Sequence, residues 1–85
     1  MSQHPPVKLY ALSTCGHCRN TKRFLDENGI EYYSVEVDLT TGEERQTLLD
    51  EVRKLNPNCS FPTIVIGETI IVGFKEAQIR EALGL

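Results

Sequence analysis

The residues of this chain best suited to chemistry are two cysteines separated by two positions, Cys15-Gly16-His17-Cys18. Read at the junction of a strand and a helix, the Cys15 sulfur lies near helix-start N–H groups and the positive end of the helix dipole. Both favour thiolate over thiol, so Cys15 should ionise below the free value of about 8.5. Arg19, Lys22 and Arg23 follow within two turns and add positive potential. Gly16 leaves the backbone open to approach. Cys18 is one helical turn on, so its sulfur can reach back to that of Cys15. This spacing suits two-step thiol–disulfide exchange. Cys15 attacks a disulfide, and Cys18 releases the product by closing the internal bridge. His17 has two readings: a partial positive charge that steadies the Cys15 thiolate, or a solvated helix-start residue.

A Cys-x-x-Cys pair also serves as half of a zinc site. The four ligands would have to be Cys15, Cys18, Cys59 and one of His4 or His17. No second Cys-x-x-Cys exists and His17 points off the helix, so no metal site is expected. Pro62 is the second informative residue. A proline within an apolar run does not fit a central strand, so it belongs at an edge or at a strand start facing the cysteine loop. The alternative to a plain edge proline is a cis bond between Phe61 and Pro62.

These residues need a frame, and 85 residues allow one domain, residues 1–85, with one core. Hydrophobic residues are 40% and charged residues 25%, which excludes wholesale disorder. The net charge of −3 argues against nucleic acid as a partner. No apolar run reaches the length of a membrane span, so no membrane role is expected. Three cysteines are too few, and odd in number, for a secreted disulfide scaffold. With no export signal at the N-terminus, a reducing cytoplasm is the expected compartment.

Residues 1–6 read as a ragged lead-in containing His4. Val7–Leu12 reads as a buried strand, and the helix after Cys15 stops at Asn28-Gly29. Ile30–Val37 alternates as a second strand. Asp38–Gly42 is a loop in which Thr41 and Glu44 form a capping box for a helix reaching about Leu55. Phe61–Ile66 and Thr69–Val72 form a hairpin across Gly67-Glu68. Phe74–Leu83 is a last helix. Tyr10, Tyr32 and Tyr33 read as sheet packing, and the acids from Glu43-Glu44 to Asp50-Glu51 as a solvated helix face. The fold class is α/β: the order β-α-β-α-β-β-α predicts a four-stranded mixed sheet with helices on both faces.

The residues so assembled resemble the glutaredoxin branch of the thioredoxin superfamily. The resemblance runs from Val7 to Leu83. It rests on V-K-L-Y-A-L-S-T-C-G-H-C, F-P-T-I-V-I-G and V-G-F-K-E-A-Q-I. It implies a thioredoxin fold in which Pro62 is a cis-proline beside the active-site cysteines. It also implies that the backbone near Phe61 pairs, strand-like, with a bound peptide or glutathione. Gly16-His17 looks like the dipeptide of protein disulfide isomerases and not the Pro-Tyr of many dithiol glutaredoxins. Leu12 stands where glutathione-binding members often have Lys. Gly73-Phe74-Lys75 looks like the redoxins that serve ribonucleotide reductase and draw electrons from thioredoxin reductase. Lys75 and the start of the last helix still offer a place for a carboxylate.

The resemblance therefore implies a dithiol thiol–disulfide oxidoreductase with Cys15 and Cys18 as the redox pair and Gly16, His17 and Pro62 in support. Phe61, Pro62, Gly73, Phe74 and Lys75 are its candidate substrate or glutathione contacts. Protein disulfides or glutathione mixed disulfides are the expected substrates, with either glutathione or thioredoxin reductase as electron donor. No tightly bound cofactor is expected, and the molecule is expected to be monomeric. Cys59 is either a small half-buried apolar residue or a third thiol near the pair, available for regulation or glutathione capture. The second functional class is a glutaredoxin-like carrier of a metal or iron–sulfur cluster through Cys15. Single-cysteine members typify that role, so Cys18 argues against it.

Overall fold

A computed structural model describes residues 5–85. His4 and the start of the lead-in lie outside the described residues. The elements in chain order are β1 (Val7–Ala11), α1 (Gly16–Glu27), β2 (Tyr33–Glu36), a 3-10 turn (Val37–Leu39), α2 (Gly42–Leu55), β3 (Thr63–Ile66), β4 (Thr69–Val72) and α3 (Glu76–Leu83).

The strands form one sheet in the order β2-β1-β3-β4. β1 runs parallel to β2, with Lys8 opposite Tyr33 and Ala11 opposite Glu36. β3 is antiparallel to both β1 and β4. The side-chain alternation of β1 divides the core between the two faces of the sheet. Val7, Leu9 and Ala11 pack with Phe24 and Leu25 of α1, Ile64 and Ile66 of β3, and Ile79 and Leu83 of α3. On the opposite face Tyr10 packs with Val37 of the 3-10 turn and Val52 of α2. Helices therefore cover both faces, as the element order requires.

Several boundaries differ from the sequence reading. Ile30 is buried but precedes the strand, which begins at Tyr33. Val37 leaves the strand and turns inward as the first residue of the 3-10 turn, where it is 2% exposed. Tyr33 is not sheet packing: on edge strand β2 it is 65% exposed, with the Lys8 ammonium 5.9 Å from its ring centre. The Thr41 capping box does not form, because the Thr41 side chain makes no cap hydrogen bond. The first turn of α2 is exposed, so water can serve its free N–H groups. β3 starts at Thr63, after Phe61 and Pro62. The last helix starts at Glu76, because Phe74 is drawn instead onto Phe24, 6.0 Å between ring centres and edge-on. None of the described helices is long and apolar enough to cross a membrane.

Candidate active site

The site begins where β1 ends. After Ala11 the chain turns, and the Cys15 N–H closes that turn on the Leu12 carbonyl at 3.2 Å. Cys15 is the N-cap of α1, with extended backbone (φ −86°, ψ 120°). Its sulfur takes the place of the usual cap oxygen and accepts the Cys18 N–H at 3.3 Å. A helix thus starts here with a soft, polarizable acceptor over its first N–H groups. No acidic residue occupies that first turn.

Two cysteines three positions apart consequently meet opposite environments. Cys15 is half-buried and Cys18 is 1% exposed. At Cys15 partial burial opposes ionisation. Hydrogen bonds from Cys18, the His17 backbone N–H and the Arg19 charge together outweigh it and hold the thiol below its ordinary range. At Cys18 burial leads, reinforced by Cys15 itself, and the thiol is pushed up to about 12. All three cysteines are free thiols. The sulfur that faces solvent ionises readily, and the sulfur behind it stays protonated until called upon.

The sequence-predicted support residues fall around this pair. His17 is exposed, and what it gives Cys15 is its backbone N–H. A Cβ added at Gly16 would meet nothing within 4 Å, so the space there is open and not filled by the fold. The Phe61–Pro62 bond is cis, and Pro62 is buried immediately before β3. The Pro62 carbonyl accepts the Gly73 N–H at 2.8 Å. Gly73 holds φ +85°, a conformation that favours glycine, and its neighbour Phe74 packs on the core beneath α1. That hydrogen bond ties the Pro62 and Gly73–Lys75 segments into one rim. Lys75 is exposed at the N-cap of α3. Phe61 is half-buried and touches both halves of the core.

Cys59 sits apart from the pair. It packs against the Tyr10, Val37 and Val52 side of the sheet, whereas Cys15 and Cys18 pack on the other side. It holds φ +50°, rare for a residue with a Cβ. Among the described residues no group of three or more His, Cys, Asp or Glu is arranged to hold a metal.

Two supporting residues carried no functional signal in the sequence. Asp38 accepts the Ser13 N–H at 2.9 Å and the Ser13 hydroxyl at 2.5 Å, one on each carboxylate oxygen. These bonds, the hydroxyl first, hold its carboxyl below the usual carboxylate range. Asn56 is 4% exposed. Its amide donates to the Ser60 carbonyl, the Ser60 hydroxyl and the Thr63 hydroxyl, pinning the loop that leads into Phe61-Pro62. A Ser-Thr pair before the cysteine and an Asn-Pro after a helix were the only local signals for these contacts.

Comparison with known proteins agrees with this geometry. The family model described as glutaredoxin matches residues 7–71. The chain belongs to the glutaredoxin family. It is 34% identical over 77 residues to an uncharacterised glutaredoxin-like 8.6 kDa protein in the rubredoxin operon of Clostridium pasteurianum, covering 91% of this chain and 96% of that one. The crystal structure of Methanosarcina acetivorans methanoredoxin is 43% identical with TM-score 0.91, covering 96% of this chain and 87% of that one. The Methanosarcina mazei Go1 glutaredoxin structure is 45% identical with TM-score 0.87, covering 95% and 80%. The mixed sheet and three helices are therefore a glutaredoxin version of the thioredoxin fold. As a family member the chain is a glutaredoxin-like redox protein.

Proposed function

We propose that this glutaredoxin is a dithiol thiol–disulfide oxidoreductase that reduces protein disulfides or glutathione mixed disulfides through Cys15 and Cys18. The observation that carries the reading is the N-cap thiol of Cys15, lowered in pKa and accepting the N–H of a buried, protonated Cys18. The Cys15 thiolate attacks one sulfur of the substrate disulfide, and the other sulfur leaves as a thiolate and takes a proton. Cys18 then gives up its proton and attacks the Cys15 sulfur. The second substrate thiol leaves with that proton, and a Cys15–Cys18 disulfide remains. Two electrons pass from the dithiol to the substrate. On this reading the segments Phe61-Pro62 and Gly73-Phe74-Lys75, tied together by the Gly73 N–H to Pro62 carbonyl bond, offer backbone to an extended substrate segment.

An external thiol reductant returns the pair to the dithiol. Glutathione as co-substrate and thioredoxin reductase are the two donors to compare, with no tightly bound cofactor and a reducing cytoplasm as the working setting. The test is reduction of a peptide–glutathione mixed disulfide and of an oxidised protein, each driven by glutathione plus its reductase or by thioredoxin reductase plus NADPH. Activity with at least one donor is expected, and Cys15→Ser should abolish it. Cys18→Ser should trap a mixed disulfide on Cys15, visible as a mass adduct. Inactivity with both donors and both substrates refutes the proposal.

A further inference from the structure

The chain has nine Lys and Arg residues. Five are engaged by Glu51, Glu36, Asp50, Glu76 and the Asp38 carbonyl. The remaining four, Arg19, Arg23, Lys54 and Lys75, have no ion pair or side-chain hydrogen bond among the described residues. One of them, Arg19, follows Cys15 by one helical turn, and its backbone N–H bonds the Cys15 carbonyl at 3.1 Å. Arg19 and Arg23 stand one turn apart on α1. Arg19 acts directly on the Cys15 thiolate. Arg23 and Phe74 line one cleft of about 260 Å³ between α1 and α3, and Lys75 follows Phe74 at the head of α3.

Most of the acids are placed elsewhere, although the Asp38 carboxylate is taken up by Ser13, two residues before Cys15. From Gly16 to Leu25, α1 carries no Asp or Glu, whereas α2, on the other face of the sheet, carries Glu43, Glu44, Asp50 and Glu51. Two acids do border the cleft. Glu76 is taken by Arg80 at 3.3 Å. Glu27 lies at the far end of α1, about 18 Å along the axis from Cys15 at 1.5 Å per residue. A molecule of net charge −3 therefore carries three of its four unpaired cations, Arg19, Arg23 and Lys75, along α1 and at the head of α3. Solvated cations need no partner to be stable. What they do is favour anionic arrivals and oppose cationic ones.

We infer that this rim selects protein disulfides whose cysteines are flanked by Asp or Glu. The inference rests on the dithiol reading above and adds a substrate class to it. A segment lying extended along Phe61-Pro62 with its cysteine at Cys15 would bring the acidic neighbours of that cysteine into the field of Arg19, Arg23 and Lys75.

The test uses prereduced protein in a single turnover, so that Cys15 and Cys18 supply both electrons. Three oxidised substrates are compared: a Glu-flanked peptide disulfide, the same peptide with Lys in place of Glu, and a neutral peptide glutathionylated on one cysteine. At about 0.01 M salt the Glu peptide should react about tenfold or more faster than the Lys peptide, within the range of electrostatic steering. The ratio should fall towards one at about 1 M salt, where the Debye length shrinks from about 30 to about 3 Å. The double variant Arg23→Glu, Lys75→Glu should reverse the order, and Arg23→Ala with Lys75→Ala should flatten it. Equal rates for the Glu and Lys peptides overturn the inference. So does a preference that neither salt nor charge reversal moves. Faster attack on the glutathionylated neutral peptide than on the Glu peptide also overturns it, because the rim would then read glutathione. No reaction with any substrate refutes the dithiol reading itself, which separates the two failures.

Discussion

At the scale of single residues the site works by contrast between two chemically identical side chains. Cys15 caps a helix with its sulfur and faces solvent, while Cys18 is sealed beneath it. Alkylation of the reduced protein by iodoacetamide at pH 7 should therefore modify Cys15 far ahead of Cys18, with Cys18 following only at strongly alkaline pH. Mass mapping of the labelled peptides checks this, and parallel labelling of both would count against the assigned environments. The same contrast fixes the pH dependence of stability. Cys18 is raised to about 12 in the fold, above an ordinary thiol value of about 8.5. Its neutral form therefore stabilises the fold fully below about pH 8.5, and this contribution is lost as pH rises towards about 12. Cys15 is lowered, so its contribution has the opposite sign: it is present above the ordinary thiol range and lost as pH falls through its folded value. Urea unfolding of the reduced protein at pH 7 and pH 10.5 should show an alkaline loss that Cys18→Ala removes.

At the scale of elements the loops before β3 and before α1 hold the thiol and the rim in register. Asn56 is the clearest case. Its amide makes three hydrogen bonds within the loop to Thr63, and Asn58 N–H returns one to its side-chain oxygen at 3.2 Å. Asn56→Ala should remove these ties from the loop, costing about 1–3 kcal/mol in chemical denaturation. It should also lower turnover beyond what the stability loss explains, because Phe61-Pro62 loses its anchor. Asp38 is the exposed counterpart. Asp38→Ala should speed hydrogen exchange at the Ser13 amide and slow substrate attack, while Asp38→Asn, which keeps an acceptor, should recover part of both. Neither residue was legible as part of the site. Asn56 reads as a helix stop and Asp38 as loop, because what they contact lies 4 to 25 positions away and leaves no periodic trace. By contrast the Cys-x-x-Cys at a strand-to-helix junction was fully legible, since helix geometry alone decides which sulfur sits at the cap. Helix and strand ends were misread wherever tertiary contact outbid local pattern. Phe74 fits a helix by spacing but packs on Phe24, and Val37 fits a strand by alternation but turns into the α2 side of the core.

At the scale of the whole molecule, the sheet and its two covered faces were legible because period-2 and period-3.6 patterns alternate along the chain in an order with few topological solutions. What the pattern leaves open is how firmly the last helix holds the rim. α3 has eight residues, about 12 Å, too short to persist by itself in water. Its attachment is Ile79, 0% exposed, with Leu83 at 7%, both against the β1 and α1 side of the core. Ile79→Ala should cost about 2–5 kcal/mol and Ile79→Val about 0.5–1.5 kcal/mol. At about 4–8 °C per kcal/mol for a domain of this size, the alanine variant should melt at least about 8 °C lower. The Gly73–Lys75 rim runs directly into α3, so the effect should reach function. In conditions where Ile79→Ala is still folded, its discrimination between acidic and basic peptide disulfides should fall, while Cys15 alkylation at fixed pH stays near that of the parent protein. If both fall together, α3 supports the thiol itself and not only the rim beside it.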